Sequence, residues 1–417
     1  MDSPKPSYVT DDDVKLVLQR DKGEEASLIS WSVEDLTSNF DGYTSVIKNL
    51  RVNYSMQGHP NECCYVLKVY VSRGEEADYF FGVIFAKEVN FYSEVIPALN
   101  GILKEIGCGP LSFPKCFHHR LEKGNDMIIL ENLKEQGYLM KDKALGVDVD
   151  HAVLVLQELA KLHAASVLFQ AKYPEMDLVD RFKCLQKEWT EEFNVGCDFG
   201  GFVDNFLDIA LAMFEKFGGC EKVISWVKKI RPNVWNMYKE HLVRTPPFAV
   251  IVHGDCWINN LLFRYDDFGK PSEVMFLDLQ GCRKASLAID LQHFINLNVE
   301  APVRRSSLPS LLATYHTEFE NVMKAGESVG GPGRVPFSLE DLRQEYIENG
   351  FYGVLYSIMF LPNMVRTPQD QLDILMTDSG SQVSQKENVL KMVDNNPLLR
   401  SRVMSVVEEW TESGLIS

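Results

Sequence analysis

One segment in the second half of the chain constrains the fold most. Three short runs of strand-forming residues, FAVIVHGD, LLFRY and EVMFLDLQ, interrupt a sequence that otherwise shows long helical patterns. The loop WINN and the turn-rich DDFGKP connect these runs, so they are predicted to be short strands joined by tight loops. We expect the chemistry of the protein to lie in these loops, because functional side chains are often held on loops by a rigid scaffold.

Three earlier runs, within residues 40–85, also predict strands of an antiparallel sheet. They are Tyr43 to Leu50, Tyr65 to Tyr70 and Tyr79 to Phe85. Apolar residues then recur every four positions, which predicts a helix that Pro97 ends or kinks. These apolar residues are Phe91, Val95, Leu99 and Leu103.

Helical patterns dominate the rest of the chain, apart from the short strand predicted in DMIILENL. Asp148 precedes one long apolar pattern, and Ser338 with Asp341 forms a capping box before another. The sequence therefore predicts an α+β chain. It has a small N-terminal antiparallel β-sheet lobe with one helix and a large, mainly helical C-terminal lobe.

Composition favours a small-molecule partner. The 417 residues include 59 acidic and 42 basic ones, a formal charge of -17, which disfavours nonspecific binding to nucleic acid or to an anionic membrane. No signal-peptide pattern and no stretch of about 18 uninterrupted apolar residues is visible, so no membrane insertion is expected. Nine scattered cysteines fit reduced thiols, and we expect a cytoplasmic protein.

The segment HGDCWINN has the spacing of a kinase catalytic loop. Asp255 follows a predicted strand, and Asn260 lies five residues later. A carboxylate at Asp255 can accept or orient the proton of a substrate hydroxyl, and the amide oxygen of Asn260 suits Mg²⁺. Asp278, in FLDLQ, ends a strand one hairpin away and is predicted to bring a second Mg²⁺ ligand beside Asn260.

Each of these residues also has a structural interpretation. Asp255 follows a glycine and fits a turn, His253 fits a hydrogen-bonded core histidine, and Asn260 or its neighbour Asn259 fits a turn cap. The ordered combination of strand, HGD, asparagine, hairpin and aspartate favours phosphoryl transfer over coincidence.

A phosphate-binding lysine is expected on a strand of the small lobe. Lys68 is the only lysine within the apolar run YVLKVYV, and a buried lysine requires a charged partner. Glu88, near the start of the next predicted helix, is the favoured partner, and Glu94 on the same helix competes with it. Lys68 on an outward edge, with Glu88 in solvent, is the structural alternative.

Two further segments are candidates for nucleotide contacts. FDGYTS offers Gly42, Thr44 and Ser45, whose backbone and hydroxyl groups suit phosphate, although a simple surface turn fits this segment as well. In the run Ile129 to Leu133, the backbone near Glu131 and Leu133 is predicted to meet an adenine edge between the lobes.

A zinc site is disfavoured by the spacing of the metal-ligating residue types. Cys116, His118 and His119 are close in sequence, but no second ligand pair follows at zinc-site spacing. The adjacent Cys63 and Cys64 are interpreted as small strand residues.

With these residues assembled, the chain resembles the ecdysteroid kinase-like family, also described as CHK-like kinases, within the aminoglycoside phosphotransferase and choline kinase fold. The most specific matching stretches are HGDCWINN with LDLQ, supported by LAKLHAAS and FAKEVNFYSEVIPAL. The resemblance covers about residues 40–294 and implies a bilobal protein kinase-like fold. Its functional roles carry over to Lys68, Glu88, Asp255, Asn260 and Asp278.

The resemblance implies an ATP-dependent kinase that uses Mg²⁺ and phosphorylates a hydroxyl of a small apolar acceptor, an ecdysteroid or related steroid alcohol. Residues 1–133 would form the nucleotide-binding lobe with the hinge, and residues 134–417 the lobe with the catalytic loop and acceptor pocket. A choline or aminoglycoside type of kinase and a catalytically silent pseudokinase are the alternatives. The intact Asp255, Asn260 and Asp278 argue against the pseudokinase.

The acceptor is the least determined part of this prediction. The segment GFYGVLYSIMFLPNMV is expected to face Asp255 and to offer an aromatic stripe to a flat apolar acceptor. The stripe equally fits the core-facing side of a buried helix. It comprises Phe351, Tyr352, Leu355, Tyr356, Met359 and Phe360.

Overall fold

The computed structural model describes most of the 417 residues. The described residues are 6, 8–35, 45–72, 75–122, 124–185, 199–242, 247–367 and 382–417. Two residues of the predicted phosphate loop, Gly42 and Thr44, lie outside the described residues.

A five-stranded antiparallel sheet forms the N-terminal part, with the strand order β1-β2-β3-β5-β4. β2 and β3 form a tight hairpin, in which Gln57 and Gly58 both have positive φ, the geometry of a two-residue hairpin turn. The pairing therefore extends through residues 51–64, which lie between two of the predicted strands. The strands are β1 (Ser27–Asp35), β2 (Val46–Met56), β3 (His59–Val69), β4 (Cys116–Arg120) and β5 (Met127–Glu131).

The predicted strand from Tyr79 to Phe85 is wrong, because these residues lie in helix α2 (Glu75–Asn90). After α2 the backbone makes one wide π-helical turn, Phe91–Val95, and then continues as α3 (Ile96–Glu105). Pro97 stands in the first turn of α3, where proline is tolerated, so the helix does not end there as one of the two predicted outcomes required.

A helix that the sequence pattern does not predict, α1 (Asp11–Lys22), packs against β1 and β4. Asp13 of this helix receives hydrogen bonds from both Arg120, at 3.0 Å, and His118, whose Nε2 lies 2.9 Å from Asp13 Oδ1. His118 is thus engaged in holding α1 on the sheet. Within the described part of the chain, no group of three or more metal-ligating side chains is placed to hold a metal ion.

The C-terminal part is mostly helical, and α4 (Val149–Lys172) directly follows its N-cap residue Asp148, as predicted. The further helices are α5 (Leu178–Arg181), α6 (Phe199–Phe217), α7 (Glu221–Ile230), α8 (Val234–Leu242), α9 (Ala288–Asn298), α10 (Ala301–Ala325), α11 (Leu339–Glu348), α12 (Gly350–Met364), α13 (Gln382–Asn395) and α14 (Pro397–Glu412). The predicted capping box of Ser338 and Asp341 is present at the start of α11. The chain is thus α+β, with the sheet in its N-terminal part and a mainly helical remainder.

Two small antiparallel pairs interrupt these helices at the segment that the sequence singles out. β6 (Ala249–Val252) pairs with β9 (Arg283–Ser286), and β7 (Leu261–Tyr265) pairs with β8 (Pro271–Phe276). The loops that follow β6 and β8 carry the predicted catalytic and metal-binding residues.

Helix α4 is long and apolar enough to cross a membrane by length and composition alone. However, 67% of its most apolar window is buried inside the protein, and core helices pass the same test. This is weak support for a membrane span. Among the described residues the cysteines are free thiols, and Cys63 and Cys64 are buried in β3.

Candidate active site

The loop after β6 holds Asp255 and Asn260 against each other. The side-chain amide of Asn260 donates to the carboxylate and to the backbone carbonyl of Asp255, at 3.0 Å in each case. The amide oxygen of Asn260 accepts no hydrogen bond from the described residues. That oxygen is therefore a suitable metal ligand, whereas the amide nitrogen fixes the orientation of Asp255.

Asp278 is brought to the same place by the β7–β8 hairpin. The backbone N–H of Leu277 donates to the carbonyl of Asn260 at 2.8 Å, and His253 Nε2 lies 3.0 Å from the carbonyl of Leu277. Asp278 itself has φ 61°, a left-handed conformation that aspartate and asparagine tolerate better than most residues. Strained backbone of this kind clusters at functional sites.

Two glycines allow the loops of Asp255 and Asp278 to touch through their backbones. Gly254 has φ 76°, and a Cβ at that position would lie 2.1 Å from the carbonyl oxygen of Gly281. A Cβ on Gly281 would meet the backbone of Gly254 at 2.9 Å. Neither position has room for a side chain, so the close approach requires glycine on both sides.

Lys68 and Glu88 form the buried ion pair that the sequence predicts. Lys68 Nζ lies 2.8 and 2.7 Å from the two carboxylate oxygens of Glu88 and 3.3 Å from Asp278 Oδ1. Burial would lower the pKa of Lys68, but the charges of Asp278 and Glu88 raise it, so the ammonium stays charged. Glu94, the competing partner, forms no ion pair with Lys68.

The electrostatics of Asp255 suit a proton acceptor near neutral pH. Desolvation, and after it the negative charge of Asp278, raises the pKa of Asp255 to about 7. The hydrogen bond from Asn260 and the charge of Arg283 oppose this rise. A carboxyl group with its pKa near the working pH is effective in general acid–base catalysis.

Sequence reasoning assigns no role to Asp290, whose carboxylate positions the catalytic loop. Its two oxygens accept hydrogen bonds from the backbone N–H of His253, at 2.7 Å, and of Gly254, at 2.8 Å. Burial would raise the pKa of Asp290, but hydrogen bonds from His163 and from the Gly254 amide help to lower it, so the carboxylate stays ionised. The available signal was a charged residue inside the apolar stretch SLAIDLQHF.

Helix α9, which carries Asp290, also holds the other end of the catalytic loop. The side chain of Asn298 accepts from the backbone N–H of Ile258 at 2.8 Å and donates to the carbonyl of Cys256 at 3.2 Å. Since every residue of α9 is buried, Asp290 and Asn298 form a rigid support along the loop.

His163, in the LAKLHAAS stretch, extends this support into α4 and α10. Its Nε2 lies 3.1 Å from Asp290 Oδ2, and its Nδ1 lies 2.7 Å from the hydroxyl of Tyr315. The imidazole is fully buried between these two partners.

The described candidates for nucleotide binding lie next to the ends of strands β2 and β5, in the sheet that carries Lys68. Ser45 is buried, and its hydroxyl has no hydrogen-bond partner among the described residues. Leu133 is buried in a small cluster with Tyr138 and Leu262. The Glu131 carboxylate, at the end of β5, accepts a hydrogen bond from the backbone N–H of Lys115 at 3.1 Å.

Helix α12 reaches the centre through its tyrosines. Arg283 donates to the carbonyl of Gly281 at 3.0 Å and to the hydroxyl of Tyr352 at 3.2 Å. Tyr352 and Tyr356 stack at 4.4 Å, and the Tyr356 and Tyr238 hydroxyls lie 3.0 Å apart.

Most of the aromatic stripe that was predicted to contact the acceptor is buried in the core. This agrees with the alternative interpretation, in which the stripe is the core-facing side of a buried helix. Phe360 alone among its members is only half-buried, and Tyr356 keeps 8% of its surface exposed. The buried members are Phe351, Tyr352, Leu355 and Met359.

A lysine held by a glutamate, a carboxylate beside an asparagine and a second aspartate next to both define a phosphotransferase that acts on a hydroxyl group. A model of the ecdysteroid kinase-like family matches residues 39–327, and the chain belongs to that family. The resemblance predicted from the motifs is thereby confirmed.

Comparison with other proteins adds only distant similarities. No curated protein matches the chain. The GDP complex of a mutant aminoglycoside 2′-phosphotransferase-IIIa is 12% identical, with 93% of this chain and 98% of that chain covered and a TM-score of 0.35. The apoenzyme of macrolide 2′-phosphotransferase MphH from Brachybacterium faecium is 15% identical, with 92% and 98% covered and a TM-score of 0.33. At these identities and TM-scores, the two structures do not indicate which nucleotide or acceptor this protein binds.

A double-mutant cycle tests whether Lys68 and Glu88 act as a unit. Lys68→Met and Glu88→Gln should each weaken productive ATP binding, because the carboxylate fixes the ammonium that we expect to contact the phosphates. Their effects on kcat/KM for ATP should not add, and the double mutant should resemble the worse single mutant. A double-mutant loss equal to the sum of two large single losses would contradict this assignment.

Proposed function

We propose that the protein transfers the γ-phosphoryl group of ATP to a hydroxyl of a small apolar acceptor, an ecdysteroid or related steroid alcohol. The observation that carries the proposal is the contact of Lys68 with both Glu88 and Asp278, next to the bonded pair of Asp255 and Asn260. It supports the proposal because an ammonium group, an amide side chain and two aspartate carboxylates lie together in one centre, where they would serve as phosphate cation, metal ligands and proton acceptor.

The residues fit Mg²⁺–ATP. Asn260 and Asp278 offer an amide oxygen and a partly exposed carboxylate, and Mg²⁺ bound to phosphates needs only one or two protein ligands beside water. When bound, the metal neutralises charge on the phosphates. Lys68 would contact the phosphates, the unpartnered hydroxyl of Ser45 would add a hydrogen bond, and the backbone at Glu131 and Leu133 would meet the adenine.

Asp255 would orient the acceptor hydroxyl and take its proton. Its pKa of about 7 leaves a large fraction of the carboxylate ionised at neutral pH, and the amide of Asn260 holds it in one orientation. Asp290 and Asn298 keep the loop backbone in place, so little reorganisation is required during the reaction.

An apolar acceptor is favoured by the aromatic residues around α12. A continuous series of ring contacts runs from the buried centre to more exposed positions on α6. Its members are Tyr352, Tyr356, Phe360, Phe206 and Phe202. Its outer members, Phe360, Phe206 and Phe202, are at least partly open to solvent, and a flat apolar ring would pack well against them.

ATP consumption tests the proposal on the full-length protein, with Mg²⁺ present and absent. The acceptors are hydroxylated steroids, choline and an aminoglycoside, and the Asp255→Asn variant controls for background hydrolysis. We expect Mg²⁺-dependent turnover with a steroid alcohol far above that with the cationic acceptors. Faster turnover of choline or the aminoglycoside would reject the acceptor and keep the kinase, whereas nucleotide binding without any turnover would favour the pseudokinase.

A further inference from the structure

A buried tyrosine hydroxyl four residues after Glu88 has no assigned role. Tyr92 is only 4% exposed, and its hydroxyl finds no hydrogen-bond partner among the described residues. Buried polar groups in folded proteins nearly always have a partner, and an unsatisfied one destabilises the fold. This hydroxyl therefore requires an interaction that the side chains and backbone around it do not supply.

Helix geometry places Tyr92 on the side of the active centre. Tyr92 lies four residues after Glu88, and side chains four apart share one face of a helix. It also belongs to the π-helical turn Phe91–Val95, in which the N–H of Ile96 donates to the carbonyl of Phe91, five residues earlier. Such widened turns occur frequently at functional sites.

The charges around Tyr92 are those of the predicted phosphate and metal groups. Burial, followed by the negative charges of Glu88 and Asp278, raises the pKa of Tyr92 well above its ordinary value, so the hydroxyl remains a donor at neutral pH. Gln280 adds a further polar group, with Nε2 3.5 Å from a Glu88 oxygen. A donor, two carboxylates and an amide supply the two to four partners that a buried water molecule needs.

We propose that Tyr92 is a positioning residue, which donates through one ordered water molecule to the carboxylates of Glu88 and Asp278 when Mg²⁺ and ATP bind. The bridge ties the partner of Lys68 to the metal ligand Asp278 and limits the rotation of both carboxylates. The inference rests on the proposed function, in which these two carboxylates serve the phosphates and the metal.

Tyr92→Phe tests the inference, because it removes only the hydroxyl oxygen from a buried ring. Calorimetric titration with Mg²⁺ and the non-hydrolysable β,γ-imido analogue of ATP should give a Kd about 5- to 10-fold higher than that of the wild type. The Tm without nucleotide should not fall, because the hydroxyl has no partner to lose in that state, and the KM for the acceptor should not change. A crystal structure of this complex should show water within about 3 Å of the Tyr92 hydroxyl.

Tyr65→Phe is the matched control. The Tyr65 hydroxyl donates to Asp21 at 2.8 Å, on the side of the sheet where α1 packs, so its loss should lower Tm and leave the nucleotide Kd unchanged. An unchanged Kd for Tyr92→Phe, with or without a lower Tm, would overturn the inference while the wild type still binds nucleotide. Failure of the wild type to bind the analogue would instead overturn the proposed function, and this inference with it.

Discussion

Asp255→Asn should lower kcat by at least about 10²-fold, because the amide retains the shape of the carboxylate but cannot accept the acceptor proton. The fold and the nucleotide Kd should stay close to those of the wild type, since the loop is held by Asp290 and Asn298. Steady-state assays and calorimetric titration measure the two quantities on the same preparations.

The pH profile gives a second readout for Asp255. With a pKa of about 7 in the free protein, kcat/KM of the wild type should rise as the pH increases through 7 and the carboxyl loses its proton. This acid limb should be absent in Asp255→Asn. Asp267→Asn, an exposed change in the β7–β8 turn, is the control and should keep both the rate and the limb. Wild-type turnover by Asp255→Asn would show that another group takes the proton.

Asp278→Asn should abolish Mg²⁺-dependent nucleotide binding, because the carboxylate is the only anionic metal ligand in the assigned pair. Asparagine tolerates the left-handed backbone of this position, so the loss would report the missing charge and not a strained loop. Titration of the ATP analogue with and without Mg²⁺ measures the effect, again with Asp267→Asn as the control. Equal Mg²⁺ stimulation in wild type and Asp278→Asn would place the metal elsewhere.

The central groups were predictable because local sequence order fixes them. A strand followed by HGD, an asparagine five residues on and a hairpin ending in an aspartate bring Asp255, Asn260 and Asp278 together with little freedom. Lys68 was predictable for an energetic reason, since a lysine in an apolar strand requires an acidic partner.

The supports of the loop were not predictable in the same way. Asp290 and Asn298 bind backbone groups that lie 36 to 42 positions earlier in the chain, and only the packing of α9 brings them there. A buried polar residue in an apolar helix indicates that some partner exists, but it does not identify a backbone amide as that partner.

The error at Tyr79–Phe85 has a related cause. The run YFFGVIF is rich in aromatic and β-branched residues, which favour strands. It contains no charged residue, so no alternation of polar and apolar positions distinguishes a helix from a strand. Phe85 and Val89 pack into the main core from α2, and this tertiary packing outweighs the local preference. The acceptor site could not be predicted for the same reason. An aromatic stripe on a helix has the same sequence pattern whether it contacts a ligand or packs in the protein interior.

The contact between Gly254 and Gly281 determines which parts of the centre can separate. Because these backbones touch, and Leu277 is bonded to Asn260, the loops that carry Asp255 and Asp278 are coupled through their main chains. The contact of Lys68 with Asp278, at 3.3 Å, has no such backbone support. If the centre opens to admit a nucleotide, the side-chain contact of Lys68 with Asp278 would lengthen more readily than the distance between Asp255 and Asp278, which the backbone contacts hold.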